Sequence, residues 1–165
     1  MKIVSITGES IVDISAEYIK INEGFSSISY IDTTGNKTIG YGFNLAIYHN
    51  LPEPLSIKNA DILLKSIIFH NILYAKDIFN DPYHVNFFES LKLNIQAVIL
   101  DMLYNLGFEQ FKEFINFIYY IRNERDNFVM AGIDLEHTLW YEQVGLRGKR
   151  AVFNLFHPSS SDIYI

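Results

Sequence analysis

Glu23, Asp32 and Thr38 stand close together near the start of the chain, with eight residues between the first two and five between the last two. Glu23 precedes Gly24, a natural helix stop, and Asp32 opens Asp32-Thr33-Thr34-Gly35-Asn36, a strong turn signal. A helix end and a hairpin tip can hold two carboxylates on opposite sides of one groove. Two carboxyl groups in different environments are what hydrolysis of a glycosidic bond needs. One stays protonated and donates to the leaving oxygen; the other stays ionised and activates water or attacks carbon. Glu23 suits the acid, because the negative end of a helix dipole and burial among Tyr30 and Tyr41 would both disfavour its charge. Asp32, in a polar turn, should stay ionised, and the Thr38 hydroxyl could orient a water against it. Thr38, Gly40 and Gly42 alternate along one strand, so the two glycines are expected to leave that face open to a bulky ligand. Each residue alone also has an ordinary reading. A Glu before a helix-ending Gly is usually solvated, and an Asp opening a turn is usually an Asx-turn residue.

The elements that must position these residues follow from periodicity. A first helix is predicted from Asp13 as N-cap to Glu23, with Ile14, Tyr18 and Ile21 as its face. A β-hairpin is predicted over 27–31 and 38–43, with room for a short third strand. After a loop carrying Pro52 and Pro54, Ser56 is placed to cap a long helix whose face holds Ile68, Ile72, Ala75 and Phe79, and Asp81-Pro82 stops it. Ile95, Val98, Ile99, Met102, Leu103 and Leu106, followed by Gly107, make the cleanest helical pattern in the chain. Phe111, Phe114, Ile115 and Ile118 mark another helix, and further helices are expected around 128–140 and 148–156. The predicted fold is α+β and mostly helical, a single domain. It comprises an N-terminal extension (1–12), a β-containing lobe (about 13–56), a connecting helix (about 57–80) and a helical lobe (about 81–165).

The residues around the three candidates resemble the bacteriophage-type lysozyme family, glycoside hydrolase family 24. The resemblance lies in Glu23-Gly24-Phe25, in Tyr30-Ile31-Asp32-Thr33-Thr34-Gly35 and in Thr38-Ile39-Gly40-Tyr41-Gly42. It continues through residues 100–107 (LDMLYNLG), similar to that family's central buried helix, and through residues 140–150 (WYEQVGLRGKR), similar to its C-terminal segment. The resemblance implies a lysozyme-like fold, with Glu23 as general acid, Asp32 as base, Thr38 helping to hold the water and Arg147 pairing with Glu23 across the lobes. That pairing would lower the Glu23 pKa, against the dipole and burial, and sequence leaves the balance open. The resemblance also places Asn44, Tyr104, Phe117 and Asp134 against the glycan. Core packing is the competing reading for Tyr104 and the stronger one for Phe117. Three features depart from the family. Phe43 stands where it often has a His that partners a carboxylate on the long helix. The first dozen residues have no counterpart, leaving a strand, a flexible arm or a docking segment open. The chain is acidic where the best-known members are basic.

Charge and composition bound the rest. The chain has 165 residues, 49% of them hydrophobic, and a net charge of −6, so it can bury a core and is not a dedicated nucleic-acid binder. It has no Cys, which excludes disulfides, thiol catalysis and Cys-based zinc sites. Its five His are scattered without ligand spacing, so no metal site and no cofactor are expected. Arg147, Lys149 and Arg150 form a local basic cluster, either a patch for an anionic polymer or a solvated helix face. No apolar run of signal or membrane-spanning length is present, so a monomer made in the cytoplasm, without stable membrane insertion, is expected. The expected function is peptidoglycan hydrolysis, a muramidase (endolysin) activity in bacterial cell lysis. The alternatives are a lysozyme-fold glycan-binding or structural module with little activity, and an antibacterial effector muramidase.

Overall fold

The computed structural model describes residues 2–124 and 127–165. Its first strand, β1 (Ile3–Ser5), lies within the amino-terminal dozen: Ile3, Val4 and Ser5 pair antiparallel with Tyr164, Ile163 and Asp162 at the other end of the chain. Helix α1 (Ile11–Glu23) begins before the predicted start. Its N-cap is Ser10, whose hydroxyl accepts from the Asp13 amide, so Asp13 sits in the first turn rather than capping it. The buried face is also shifted. Ile14, Ala16, Tyr18 and Ile19 are buried, while Ile21 is 41% exposed.

Strands β2 (Ser26–Ile31), β3 (Lys37–Gly40) and β4 (Phe43–Asn44) form a three-stranded antiparallel sheet. The hairpin and its short third strand follow the predicted pattern, but the second strand ends at Gly40, and Tyr41-Gly42 turn the chain into β4. Gly40 therefore does not share an open face with Thr38. A side chain there would collide with the Phe43 ring at 2.6 Å, and Gly40 itself is buried.

Helix α2 (Ile57–Phe79) is capped by Ser56, whose hydroxyl accepts from the Asn59 amide; it buries Ala60, Leu64, Ile68, Asn71, Ala75 and Phe79. After the short α3 (Phe87–Ser90) comes α4 (Leu93–Leu106), buried without a break over residues 94–103 and ended by Gly107. A helix covered all round is the centre of its domain, and α1, α2 and the C-terminal helices pack about it. The single helix predicted around 111–118 is two, α5 (Phe108–Lys112) and α6 (Ile115–Asn123), with the break at Glu113-Phe114. Likewise α7 (Val129–Glu136) and α8 (Leu139–Val144) replace one segment, split where the Thr138 hydroxyl caps α8. Then come α9 (Leu146–Phe156) and β5 (Asp162–Tyr164), the partner of β1. The protein is α+β and mostly helical. No helix among the described residues is long and apolar enough to cross a membrane.

Two buried asparagines tie the terminal sheet to this frame. Asn154 Nδ2 donates to the Tyr164 carbonyl and its Oδ1 accepts from the Tyr164 amide, while Asn94 Nδ2 donates to Asn154 and to the His157 carbonyl. Ile6, Ile14, Tyr18, Ala97 and Ile163 close a second, smaller core beneath β1 and β5.

Candidate active site

Glu23 is the last residue of α1, and its side chain points toward α4 and α9. Arg147 Nη1 donates to Glu23 Oε1 at 2.6 Å. The same guanidinium grips Asp101 of α4 through Nε at 2.9 Å and Nη2 at 2.8 Å. Asn22 extends the network, donating to Asp101 Oδ1 and accepting from Arg150 Nη1. The arginine and both acids are largely buried, with side-chain exposures of 8% for Arg147, 19% for Glu23 and 1% for Asp101. The sequence left burial and the arginine in opposition at Glu23. Burial prevails: it lifts the Glu23 pKa above the usual carboxylate range despite the attraction of Arg147, and the charge of Asp101 adds to the rise.

Asp32 has the opposite environment. Its Oδ1 accepts from the Thr34 hydroxyl at 2.8 Å and from the backbone amides of Thr34 and Asn36 at 2.9 and 2.8 Å. These bonds, the Thr34 hydroxyl foremost, hold its pKa below the usual carboxylate range. Asp32 is therefore an Asx-turn residue through one oxygen, while Oδ2 accepts no hydrogen bond from the described residues. Thr38 is buried and donates to the Asn36 carbonyl at 3.0 Å, which ties its hydroxyl to the same turn.

Glu23, Asp32 and Thr38 line one cavity of about 370 Å³, with Tyr30, Thr33, Thr34, Asn36, Gly42, Tyr104 and Asn105 completing its wall. Gly42 touches the chemistry most closely. With φ at +87°, it would carry a Cβ 2.9 Å from Glu23 Oε2, and Arg147 keeps that carboxyl from moving aside. Gly42→Ala is therefore expected to lower both stability and any hydrolytic rate. The left-handed backbone alone costs about 1–2 kcal/mol, a drop in Tm of roughly 2–8 °C for a domain of this size. Thermal melts beside activity assays check this, and an unchanged melt and rate would show that the close approach is slack.

The cavity continues into a groove of about 730 Å³ through shared Thr34, Asn36, Gly42, Tyr104 and Asn105. Asn44 lines this groove, with its own Oδ1 tied to the Ala46 amide. Tyr104 lines both parts, and its hydroxyl donates to the Tyr41 carbonyl at 2.6 Å. The other two expected glycan contacts do not join them. Phe117 is completely buried, edge-on to Phe111 in the core, because α6 turns that face inward. Asp134 lines a separate depression between α6 and α7 with Glu113, Asn116 and His137. A larger cavity of about 870 Å³ lies between the α2–α3 turn and α6, where Asp81 is already bound to Arg122 at 2.7 Å. It lacks a pair of carboxyl groups in contrasting environments, so size does not move the candidate site.

The basic cluster is neither an open patch nor a solvated face. Arg147 is buried on two acids, Arg150 is bonded to Asn22, and only Lys149 is exposed. Phe43, in the place of an expected His, is buried edge-on to Tyr41 and Tyr48, and the α2 residues lining the groove with it are Ile67, Asn71 and Tyr74, none of them acidic. Sequence reading gave no role to Asp101, Asn105 or Asn71. Asp101 had a signal, a lone acid inside an apolar helical run that needs a buried partner. Asn105 accepts from Trp140 Nε1 at 2.7 Å, a contact between residues far apart in sequence. No group of three His, Cys, Asp or Glu suited to a metal occurs among the described residues. No family model and no curated protein matches the chain.

Proposed function

We propose that the protein is a peptidoglycan hydrolase that cleaves the β-1,4 bond between N-acetylmuramic acid and N-acetylglucosamine and serves bacterial cell lysis. One observation carries this reading: two carboxyl groups with opposite pKa shifts line one cavity that opens into a longer groove. Glu23, kept protonated to higher pH by burial, donates to the glycosidic oxygen as that bond breaks. Asp32 takes a proton from water through Oδ2; Thr38, its hydroxyl donating to the Asn36 carbonyl, lines the same cavity and can accept from that water. The water adds to the anomeric carbon opposite the leaving group, so the product is inverted. No cofactor takes part. Made in the cytoplasm, the enzyme acts after it reaches the wall.

The test is release of muropeptides from purified peptidoglycan at low salt. New reducing ends at muramic acid support the reading, and NMR of the first product reports its anomer. Folded protein that binds the glycan and releases no ends would instead mark a binding module.

The pH dependence follows from the same two groups. Activity needs Asp32 ionised and Glu23 protonated. The rate should fall on the acid side as Asp32 takes up a proton below its ordinary 3.8, and on the alkaline side as Glu23 loses one above its ordinary 4.5. A kcat/KM profile across pH 3 to 9 checks this, and an alkaline limb below pH 4.5 would remove Glu23 from the acid role.

A further inference from the structure

Asn71 projects from α2 into the wall of the groove and is 6% exposed. Its Nδ2 is buried and has no hydrogen-bond partner among the described residues. Buried amide nitrogens are nearly always paired, because an unmade bond costs the desolvation of the group. The residue also lines a smaller pocket of about 300 Å³ that shares Tyr48, Ile67 and Tyr74 with the groove, so it stands where the two meet. Around it the wall is aromatic. Tyr74 stacks on Phe108 with ring centroids 4.5 Å apart, and Tyr48 packs edge-on to Phe43. A half-turn of the terminal amide exchanges Nδ2 and Oδ1, so this one side chain presents either a donor or an acceptor.

We propose that Asn71 is a specificity-determining residue that recognises the 2-acetamido group of a sugar ring bound in the groove beyond the two carboxyl groups. An acetamide carries one carbonyl acceptor and one N–H donor, so whichever end of the Asn71 amide is turned to the groove finds a partner on it. Its methyl and the apolar face of the sugar ring meet the Tyr74–Phe108 pair and Tyr48, which present apolar surface with a polar edge. A hydroxyl at the same sugar position is shorter by three heavy atoms and brings no methyl to the apolar wall, so the groove favours the acetylated ring. This inference rests on the glycan reading of the same groove, and it can fail separately from the hydrolase.

The experiment uses the full chain carrying Glu23→Gln, so that ligand is not consumed. Calorimetric titration compares the β-1,4 tetramer of N-acetylglucosamine with the β-1,4 tetramer of glucose, both uncharged. The acetylated tetramer is expected to bind more tightly. Adding Asn71→Leu or Asn71→Ala is expected to cut that preference about tenfold, the effect of one lost hydrogen bond, while leaving the affinity for the glucose tetramer unchanged. The constant glucose affinity shows the groove intact in the variant. No preference in the parent, a preference retained in both variants, or an equal weakening of both ligands each overturns the proposal. Muropeptide release by the unmodified protein reads the hydrolase independently. A protein that releases no ends yet shows the preference loses the hydrolase and keeps this inference, and the converse result does the reverse.

Discussion

Glu23→Gln is expected to abolish hydrolysis while leaving the protein folded. General acid catalysis contributes about 10²–10⁴-fold to a rate, so a loss of roughly 10³-fold, some 4 kcal/mol of barrier, is the effect to measure. Gln fills the same space and can still offer its carbonyl oxygen to Arg147 Nη1, which now meets Glu23 Oε1 at 2.6 Å. Asp101 continues to hold the guanidinium by two bonds. The stability sign is also defined. A group whose folded pKa is raised contributes stability below its unfolded pKa and loses it as pH rises through the folded value. Glu23 is such a group, so at neutral pH its ionised form weighs against the fold. The Gln variant should therefore melt at or above the wild-type temperature at neutral pH, and the difference should shrink toward pH 4. Reducing-end release and thermal melts on the two proteins check both halves. Full activity in the variant removes Glu23 as the acid; a large fall in Tm shows that its charge supports the fold instead.

The elements were more legible than their contacts. The apolar run from Ile95 to Leu106 repeats at helical spacing, and it forms α4, because a strong period and a Gly stop agree. Ser56 and Asp32 announced a cap and a turn through local chemistry, which needs no distant partner. Failures came where two local signals competed. Ser10 and Asp13 are both capping residues three apart; Ser10 prevails, its hydroxyl accepting from the Asp13 amide and donating to the Asp13 carboxylate. Phe111 and Ile118 share a helical period, but the chain breaks at Glu113-Phe114 so that Phe111 and Phe117 can meet edge-on in the core. Period alone does not report such a break.

At the site, Glu23, Asp32 and Thr38 were singled out by their spacing only together with the resemblance carried by the residues around them, and the structure brings all three to one cavity. The direction of the Glu23 shift could not be read, since it depends on how deeply α4 and α9 bury the carboxyl and its arginine. Phe117 lies in the core, the stronger of its two readings, and not against the groove where the resemblance put it. A helical pattern shows which residues share a face, and only packing shows whether that face meets the groove or the core. Asn71 gave no signal at all, because one polar residue on an amphipathic helix looks like part of the solvated side.

Arg147→Ala is expected to produce the largest loss of stability. The substitution removes the only cation bonded to Asp101 and Glu23 among the described residues, and it leaves the Asp101 carboxylate, 1% exposed, with Asn22 as its remaining side-chain donor. Breaking a buried ion pair from one side costs about 3–5 kcal/mol. For a domain of this size that is a fall in Tm of roughly 6–20 °C. The consequence for Glu23 has a definite sign. Arg147 works against the burial that raises its pKa, so losing the arginine raises it further, and the alkaline limb of the pH–rate profile should move to higher pH. The comparison that separates charge from packing is the double variant Asp101→Asn with Arg147→Ala. It removes the stranded carboxylate without refilling the arginine's volume, so it should regain much of the stability lost in Arg147→Ala alone. Equal melting of the single and double variants would place the cost in lost packing rather than in an unpaired buried charge. An Arg147→Ala protein that melts like wild type would show that the network linking α1, α4 and α9 adds nothing to the fold.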